Sequence, residues 1–322
     1  MRRRLSDRQL AAFCLLAVSA PALTTLCALS WYTVLAGGAL CALVLLGLTA
    51  LWRRAGSPAP APAALRVWGN RAGAALLGLQ IALLLLLLNG LVSGVAGAFP
   101  DAQTRPFAPL VLLAVCAWAC RQGRDAVVRA CGVLFLFLSA LLLCVFFFAL
   151  PDVHLHRLLR PGDDGRLAAL GVLLLPGCGL FLTENRAERR PPGGWLCVLA
   201  VFPALAAALC AAVPGSRGSF YQMAKSVELL SVAQRVEPLV SVALVIGRFG
   251  IVCFLALCAG RICAALGRDP DRCAALACLA AIPGAIRPLP LPDAAYLAAA
   301  GILVLTEAAT VGRELRVKNY EV

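Results

Sequence analysis

The sequence predicts an all-α integral membrane protein with about ten transmembrane helices, arranged as a 5+5 inverted repeat with broken first and sixth helices. Composition gives the first support. Apolar residues make up 61% of the 322 residues and charged residues only 14%, and the mean hydropathy of +0.88 is far above that of soluble domains. Ten apolar runs follow one another, and no segment between them is long enough to fold alone, so one membrane domain takes up residues 1–322.

The ten predicted spans form two groups of five, which correspond to repeats at about residues 5–150 and 165–314. A helix needs roughly 17 to 25 apolar residues to cross a bilayer. The first group comprises 9–28, 31–52, 71–97, 106–121 and 128–150, and the second 166–184, 193–213, 237–266, 272–286 and 291–312. The fourth and ninth spans are short enough to be partly re-entrant.

The first and sixth spans contain helix-breaking residues at matching positions of the two groups. These residues are Ser19, Ala20 and Pro21 in the first span, and Pro176, Gly177 and Gly179 in the sixth. Irregular backbone inside a bilayer survives only where it is buried in protein or lines a cavity. The pattern therefore predicts two breaks that face each other and bind a zwitterionic ligand. A simple proline kink is the alternative for each.

The basic residues predict the orientation, because Lys and Arg concentrate in cytoplasmic loops. With the N-terminus inside, twenty of the 29 Lys and Arg residues lie in inner segments, eight in outer segments and one, Arg248, within a span. Both termini are therefore predicted to be cytoplasmic. The net charge of +13 does not indicate nucleic-acid binding, since the arginines lie in short loops and not along one helix face.

Two of the segments that connect the predicted spans have a composition that predicts their local structure. The Pro- and Ala-rich segment Ala55–Ala64 is predicted to be a stiff, extended tether. The segment Pro214–Pro238 carries spaced apolar residues that predict a helix lying on the outer surface, where it would cap a vestibule.

A few polar residues lie inside predicted spans, where charges are costly and tend to be functional. Arg248 in span eight needs a partner, and Glu307 in span ten is the candidate; function or helix pairing is favoured over a misplaced span boundary. Asn89 and Gln80 in span three are predicted to form hydrogen bonds between helices.

Enzymatic and metal sites are not predicted. The fifteen cysteines lie almost all in apolar runs without a C-x-x-C pair, which favours a packing role. His154 and His156 are the only histidines and have no accompanying ligand cluster. No nucleotide-binding or hydrolase motif occurs in the sequence, so the protein is predicted to be neither an enzyme nor dependent on a cofactor.

Several short motifs in order along the chain resemble the spore germination permease family, the GerAB-type membrane subunits of nutrient germinant receptors. L-S-D-R-Q-L (Leu5–Leu10) is similar to the family's opening, Trp31 to its Trp entering span two, and Q-G-R-D-A-V-V-R to its link between spans four and five. The most specific match is Y-Q-M-A-K-S-V-E-L-L-S-V-A-Q-R-V-E, in which Arg235 and Glu237 occupy the family's R-x-E pair.

The resemblance implies a LeuT-like fold within the amino acid, polyamine and organocation transporter superfamily. It implies a small nutrient ligand, germinant receptor A-type and lipoprotein C-type subunits as partners, and a bacterial cell membrane or spore inner membrane location. Ala20, Ala22 and Cys27 stand where the family carries glycines and a proline near the first break. A secondary amino acid or amine transporter, or an accessory subunit without ligand binding, therefore remains an alternative.

Overall fold

The computed structural model describes residues 7–56, 60–93, 107–159, 164–182, 193–213, 220–226, 237–287 and 291–320. These ranges contain twelve α-helices and no β-strand. The helices are α1 (Asp7–Thr24), α2 (Trp31–Ala55), α3 (Pro60–Trp68), α4 (Asn70–Ser93), α5 (Phe107–Arg121), α6 (Arg124–Ala149), α7 (Gly193–Ala212), α8 (Phe220–Ser226), α9 (Glu237–Ala265), α10 (Pro270–Ala280), α11 (Ile282–Ile286) and α12 (Asp293–Tyr320). A 3₁₀ helix of 19 residues, Asp164–Leu182, precedes α7 and is called the long 3₁₀ helix below.

Five of these helices, α2, α4, α6, α9 and α12, are long and apolar enough to cross a membrane by length and composition. Shorter apolar helical segments occupy the predicted spans one, four, six and seven. The predicted all-α class is thereby confirmed for the described residues, and the five long apolar helices are compatible with a membrane protein. The count of ten spans and their arrangement as inverted repeats stay predictions.

Helix α9 forms the centre of the bundle. Of its most apolar window, 78% is buried, compared with 22% for α2 and for α6. It packs against α1, α4, α6 and α10, whereas α2 pairs with α7 and α12 lies along the long 3₁₀ helix. Large apolar side chains remain exposed on α2 and α6, including Leu43, Leu136 and Phe147. A bilayer would cover such a surface, because lipid tails are as apolar as these side chains.

Residues 60–64 of the predicted extended tether Ala55–Ala64 are helical, whereas residues 57–59 lie outside the described residues. Pro60 is the first residue of α3, a position where its missing N–H has no helical partner to lose. Ala61, Ala63 and Ala64 are buried, and α3 packs closely on α4 at Gly73. Proline at a helix start therefore favours the helix here.

Predicted span nine consists of two helices in series. Asp269 caps the first, α10, by accepting backbone N–H bonds from Asp271 (3.0 Å) and Arg272 (3.4 Å). The chain turns at Ala281 and continues as the single-turn α11, with Pro283 in its first turn.

Candidate functional site

Helix α1 is continuous through its predicted break. Pro21 lies within the helix, and nearby hydroxyls satisfy carbonyls around it: Ser19 donates to the Leu16 oxygen at 2.6 Å and Thr24 to the Ala20 oxygen at 2.8 Å. The carbonyl that loses its helical donor at Pro21 is that of Ala17, so these two bonds do not replace the missing N–H. The predicted interruption at Ser19, Ala20 and Pro21 is wrong, and a helix containing proline takes its place.

Close packing by α9 covers this part of α1. A Cβ atom at Gly247 would lie 2.7 Å from the Ser19 hydroxyl oxygen and 2.9 Å from the Ala20 backbone nitrogen. A Cβ at Gly250 would lie 2.6 Å from Leu16 Cγ. The backbone that was predicted to bind a ligand is thus in contact with a neighbouring helix.

A cavity of about 240 Å³ lies on another side of Ser19, between α1, α6 and α7. Its lining is apolar apart from Ser19 and Ser139. Both hydroxyls donate to carbonyls of their own helices, Ser139 to the Phe135 oxygen at 2.8 Å. This lining offers no charged group that would hold a zwitterion.

The helix is not interrupted at the predicted break in span six either, but the segment is a 3₁₀ helix and not an α-helix. The long 3₁₀ helix passes through Pro176, and its one residue with non-helical angles is Arg166, at φ −103° and ψ 20°. Runs of 3₁₀ helix longer than three or four residues are uncommon and often mark a hinge or strain. The interruption at Pro176, Gly177 and Gly179 is therefore wrong, although the segment departs from α-helix as its composition suggested.

These glycines allow close approach by other helices. A Cβ at Gly177 would lie 2.8 Å from Leu45 Cδ2 on α2, and one at Gly179 would lie 3.4 Å from Cys14 Sγ on α1. Cys14 precedes Ser19 by five residues, or about 7 to 8 Å along an α-helix. The two predicted ligand segments therefore lie at different levels of α1 and do not face each other across an open site.

Glu307 is the charged residue that the long 3₁₀ helix faces. It lies in the middle of α12 with only 2% of its surface exposed. Neither carboxylate oxygen has a hydrogen-bond partner in the part of the chain that the structure describes. An isolated carboxylate in apolar surroundings costs several kcal/mol or more, so Glu307 is the strongest candidate for a functional group.

The surroundings of Glu307 contain thiols and apolar groups. Cys178 of the long 3₁₀ helix and Cys258 of α9 lie within electrostatic range of its carboxylate. The Cys258 thiol donates to the Cys178 carbonyl at 3.2 Å. On α12, the Thr306 hydroxyl donates to the Leu303 oxygen and the Thr310 hydroxyl to the Thr306 oxygen, each at 2.8 Å. The hydroxyl protons of Thr306 and Thr310 are thus donated to backbone carbonyls and not to the Glu307 carboxylate.

The predicted pair of Arg248 and Glu307 does not form. Arg248 is 7% exposed and donates to the Leu91 carbonyl, one of the last carbonyls of α4. Such carbonyls have no partner within their own helix, and a cation there is favourable. Cys258, which lies near Glu307, follows Arg248 by ten residues, or about 15 Å of helix. Arg248 therefore has the helix-pairing role that was one of its two predicted roles.

The two amides of α4 join helices, as predicted. Asn89 Nδ2 donates to the Ala280 carbonyl at 3.4 Å, and its Oδ1 accepts from the Gly284 N–H at 3.2 Å. It therefore bridges the junction of α10 and α11. Gln80 Nε2 donates to the Thr306 hydroxyl at 2.9 Å, which joins α4 to α12.

Sequence reasoning missed a second arginine that caps a helix. Arg124 was assigned to an inner loop, but it is 5% exposed and donates to the carbonyl of Leu182, the last residue of the long 3₁₀ helix. It also pairs with Asp125 at 3.0 Å. Gly123 precedes it at φ +93°, a conformation that favours glycine. The sequence feature that could have indicated this cap is the glycine that precedes Arg124 and Asp125 at the start of α6.

Sequence reasoning also missed the contact between α3 and α12. Arg66 pairs with the buried Glu314 at 3.1 Å, and the Trp68 indole N–H donates to the Thr310 hydroxyl at 3.3 Å. The guanidinium of Arg313 lies 4.4 Å from the centre of the Trp68 ring. These contacts fasten α3 beside the half of α12 that follows Glu307.

The R-x-E pair lies at the edge of the described residues. Arg235 falls outside them, and Glu237 is the first residue of α9. The surface helix predicted before this pair is present in part as α8, where Phe220 and Met223 are buried. The role of Arg235 and Glu237 in anchoring this segment stays a prediction.

No protein-family model matches the chain, and a search of curated proteins found no match. Among the described residues there is also no group of three or more His, Cys, Asp or Glu side chains that would hold a metal ion. The assignment of a function therefore depends on the intramembrane groups and on the motif resemblance alone.

Proposed function

We propose that the protein binds a small nutrient within its helical bundle, beside Glu307, and acts as the membrane subunit of a germinant receptor. The observation that carries the binding site is the buried carboxylate of Glu307, without a hydrogen-bond partner among the described residues and next to the long 3₁₀ helix. Charged groups inside membrane proteins usually belong to ligand or ion sites. The germinant role is supported by the motif resemblance.

The long 3₁₀ helix provides a way to report ligand binding. Beyond the kink at Arg166, its residues 167–182 span about 32 Å as a 3₁₀ helix but about 24 Å as an α-helix. A change between the 3₁₀ form and the α-helical form would therefore shift one end of the segment relative to α2 and α12. A ligand that binds one state better shifts the population toward it, and a partner that contacts that state senses the shift.

Glu307 limits the chemistry of the ligand. A carboxylate selects an ammonium group, as carried by amino acids and amines. Arg248 is not available to hold the carboxylate of the same small amino acid, since it already binds the Leu91 carbonyl and lies about 15 Å along α9 from Cys258, which is near Glu307. The ammonium group is therefore the part of the ligand that the proposed site recognises.

Ligand binding is expected to depend on Glu307. In purified protein screened with L-amino acids and polyamines, at least one compound should raise the Tm of the wild type. Glu307→Gln should abolish this shift because a neutral amide does not attract an ammonium group. Glu314→Gln is the matched control, since Glu314 is equally buried on the same helix but pairs with Arg66. An equal shift in Glu307→Gln would contradict the proposed site.

A secondary transporter for amino acids or amines is the second candidate, favoured by the same intramembrane carboxylate. Uptake of the radiolabelled stabilising compound into proteoliposomes would establish transport. Binding without uptake, together with co-purification of the A-type and lipoprotein C-type subunits, would favour the receptor.

The proposed orientation places both termini and the segment before α3 in the cytoplasm. A cysteine introduced at Ser57, in a variant that lacks the exposed native Cys144, should react with an impermeant maleimide only after the membrane is opened. The physical reason is the excess of Lys and Arg in the predicted inner segments. Labelling of intact cells at this position would reverse the orientation.

A further inference from the structure

We infer that Glu307 holds a proton when the ligand site is empty and gives it up when the ammonium group of a ligand takes the proton's place. The exchange balances as carboxylic acid plus ammonium giving a carboxylate–ammonium pair plus one free proton. This inference deepens the proposed function, on which the exchange step rests. The protonated empty state can be tested without any ligand.

The first argument is the absence of hydrogen-bond donors. Both oxygens of Glu307 lack a partner among the described residues. The neighbouring Thr306 and Thr310 hydroxyls donate to backbone carbonyls, and the Cys258 thiol donates to the Cys178 carbonyl. A buried carboxylate without donors is costly, whereas its acid form carries no net charge to desolvate.

The second argument is the absence of a compensating charge. The titratable groups of the long 3₁₀ helix and α9 that lie within electrostatic range of Glu307 are the Cys178 and Cys258 thiols, which carry no positive charge. The cations on the other helices packed against α12 lie near the ends of those helices: Arg53 and Arg54 on α2, Arg66 on α3 and Arg71 on α4. In the described ranges none of them pairs with Glu307.

A proton fits this site better than a metal cation does. Hard cations such as Mg²⁺ and Ca²⁺ need about six or more oxygen ligands. The Cys178 carbonyl accepts from Cys258, and the Thr306 oxygen accepts from Gln80. Among the described residues no group of three or more His, Cys, Asp or Glu side chains around Glu307 could hold a metal ion, whereas a proton requires only the carboxylate itself.

Glu314 provides an internal comparison. Both glutamates lie on α12, seven residues apart, and each is 2% exposed. Glu314 has a guanidinium nitrogen of Arg66 at 3.1 Å, which stabilises its ionised form. The two carboxyl groups are therefore equally buried, but among the described residues only Glu314 has a cationic partner.

Dicyclohexylcarbodiimide distinguishes these states, because this membrane-permeant reagent adds to protonated carboxyl groups. In the full chain in lipid vesicles at neutral pH, mass spectrometry should find the adduct on Glu307 at least tenfold more often than on Glu314. Labelling of Glu307 should fall as the pH is raised. Equal labelling of the two residues, or preferential labelling of Glu314, would overturn the inference.

Infrared spectroscopy gives a second measurement that needs no access for a reagent. The carbonyl band of a protonated carboxyl group should be present in the wild type and in Glu314→Gln, and reduced in Glu307→Gln. An unchanged band in Glu307→Gln would overturn the inference even if labelling had failed for lack of access. If the band depends on Glu307 but no amine or amino acid shifts the Tm, the proposed ligand function fails and the protonated carboxyl group stands.

Discussion

Gly247→Leu is expected to prevent accumulation of folded protein. The α1–α9 contact places the position of a Cβ at residue 247 only 2.9 Å from the backbone nitrogen of Ala20. Backbone atoms cannot move aside as a flexible side chain can, so the two helices must separate. Overpacking typically costs about 1 to 3 kcal/mol and occasionally more; a clash with backbone in α9, the most buried of the five long apolar helices, is expected at the upper end. Size-exclusion chromatography of the detergent-solubilised variant should show aggregate in place of the monodisperse peak.

Gly132→Leu is the matched control for this substitution. Gly132 also lies within a long helix, α6, but a Cβ there would meet no atom within 4 Å. Leucine should be accepted at this position and should leave the elution profile unchanged. Equal tolerance of leucine at both positions would show that α1 and α9 are not in close contact.

Arg124→Met is expected to lower stability by about 1 to 3 kcal/mol, the cost of leaving a buried acceptor without its donor. The substitution keeps the aliphatic bulk but removes the donor to the Leu182 carbonyl at the end of the long 3₁₀ helix. It also leaves Asp125 without the guanidinium at 3.0 Å. A fall of several degrees in the Tm of purified protein would measure this loss.

Arg129→Met separates the capping effect from the loss of one positive charge. Arg129 lies on the same helix, but it is exposed and donates only to the Asp125 backbone carbonyl at 3.0 Å, within its own helix. Its replacement should change the Tm little, since exposed contacts of this kind contribute at most a fraction of a kcal/mol. Similar losses in the two variants would mean that charge, and not the cap at Leu182, stabilises this end of the bundle.

The positions of the helices were largely predictable. The ten apolar runs coincide with helical segments, because the length and polarity of a run are local properties of the chain. The main wrong prediction concerns α3, whose prolines predict extended structure although the segment is helical. Their position at the helix start, together with burial of Ala61, Ala63 and Ala64 against neighbouring helices, reversed that expectation.

The candidate site was predicted less well. Proline and glycine in spans one and six indicated special backbone, but they did not reveal what that backbone contacts. Pro21 lies within the α-helix Asp7–Thr24, where α9 packs closely against the neighbouring Ser19 and Ala20. Pro176 lies in a 3₁₀ helix packed between α2 and α12. Two similar sequence signals thus have different structural outcomes.

The sequence by itself determined that the chain is helical, with apolar helices long enough to cross a membrane, and which polar residues lie in its apolar segments. Only the tertiary structure decided which of those residues are paired. Arg248 and Arg124 bind carbonyls at helix ends and Glu314 pairs with Arg66, whereas Glu307 has no hydrogen-bond partner among the described residues. The physical reason is that burial follows from local hydrophobicity, but a partner comes from a helix distant in sequence, at a level set by how the helices pack.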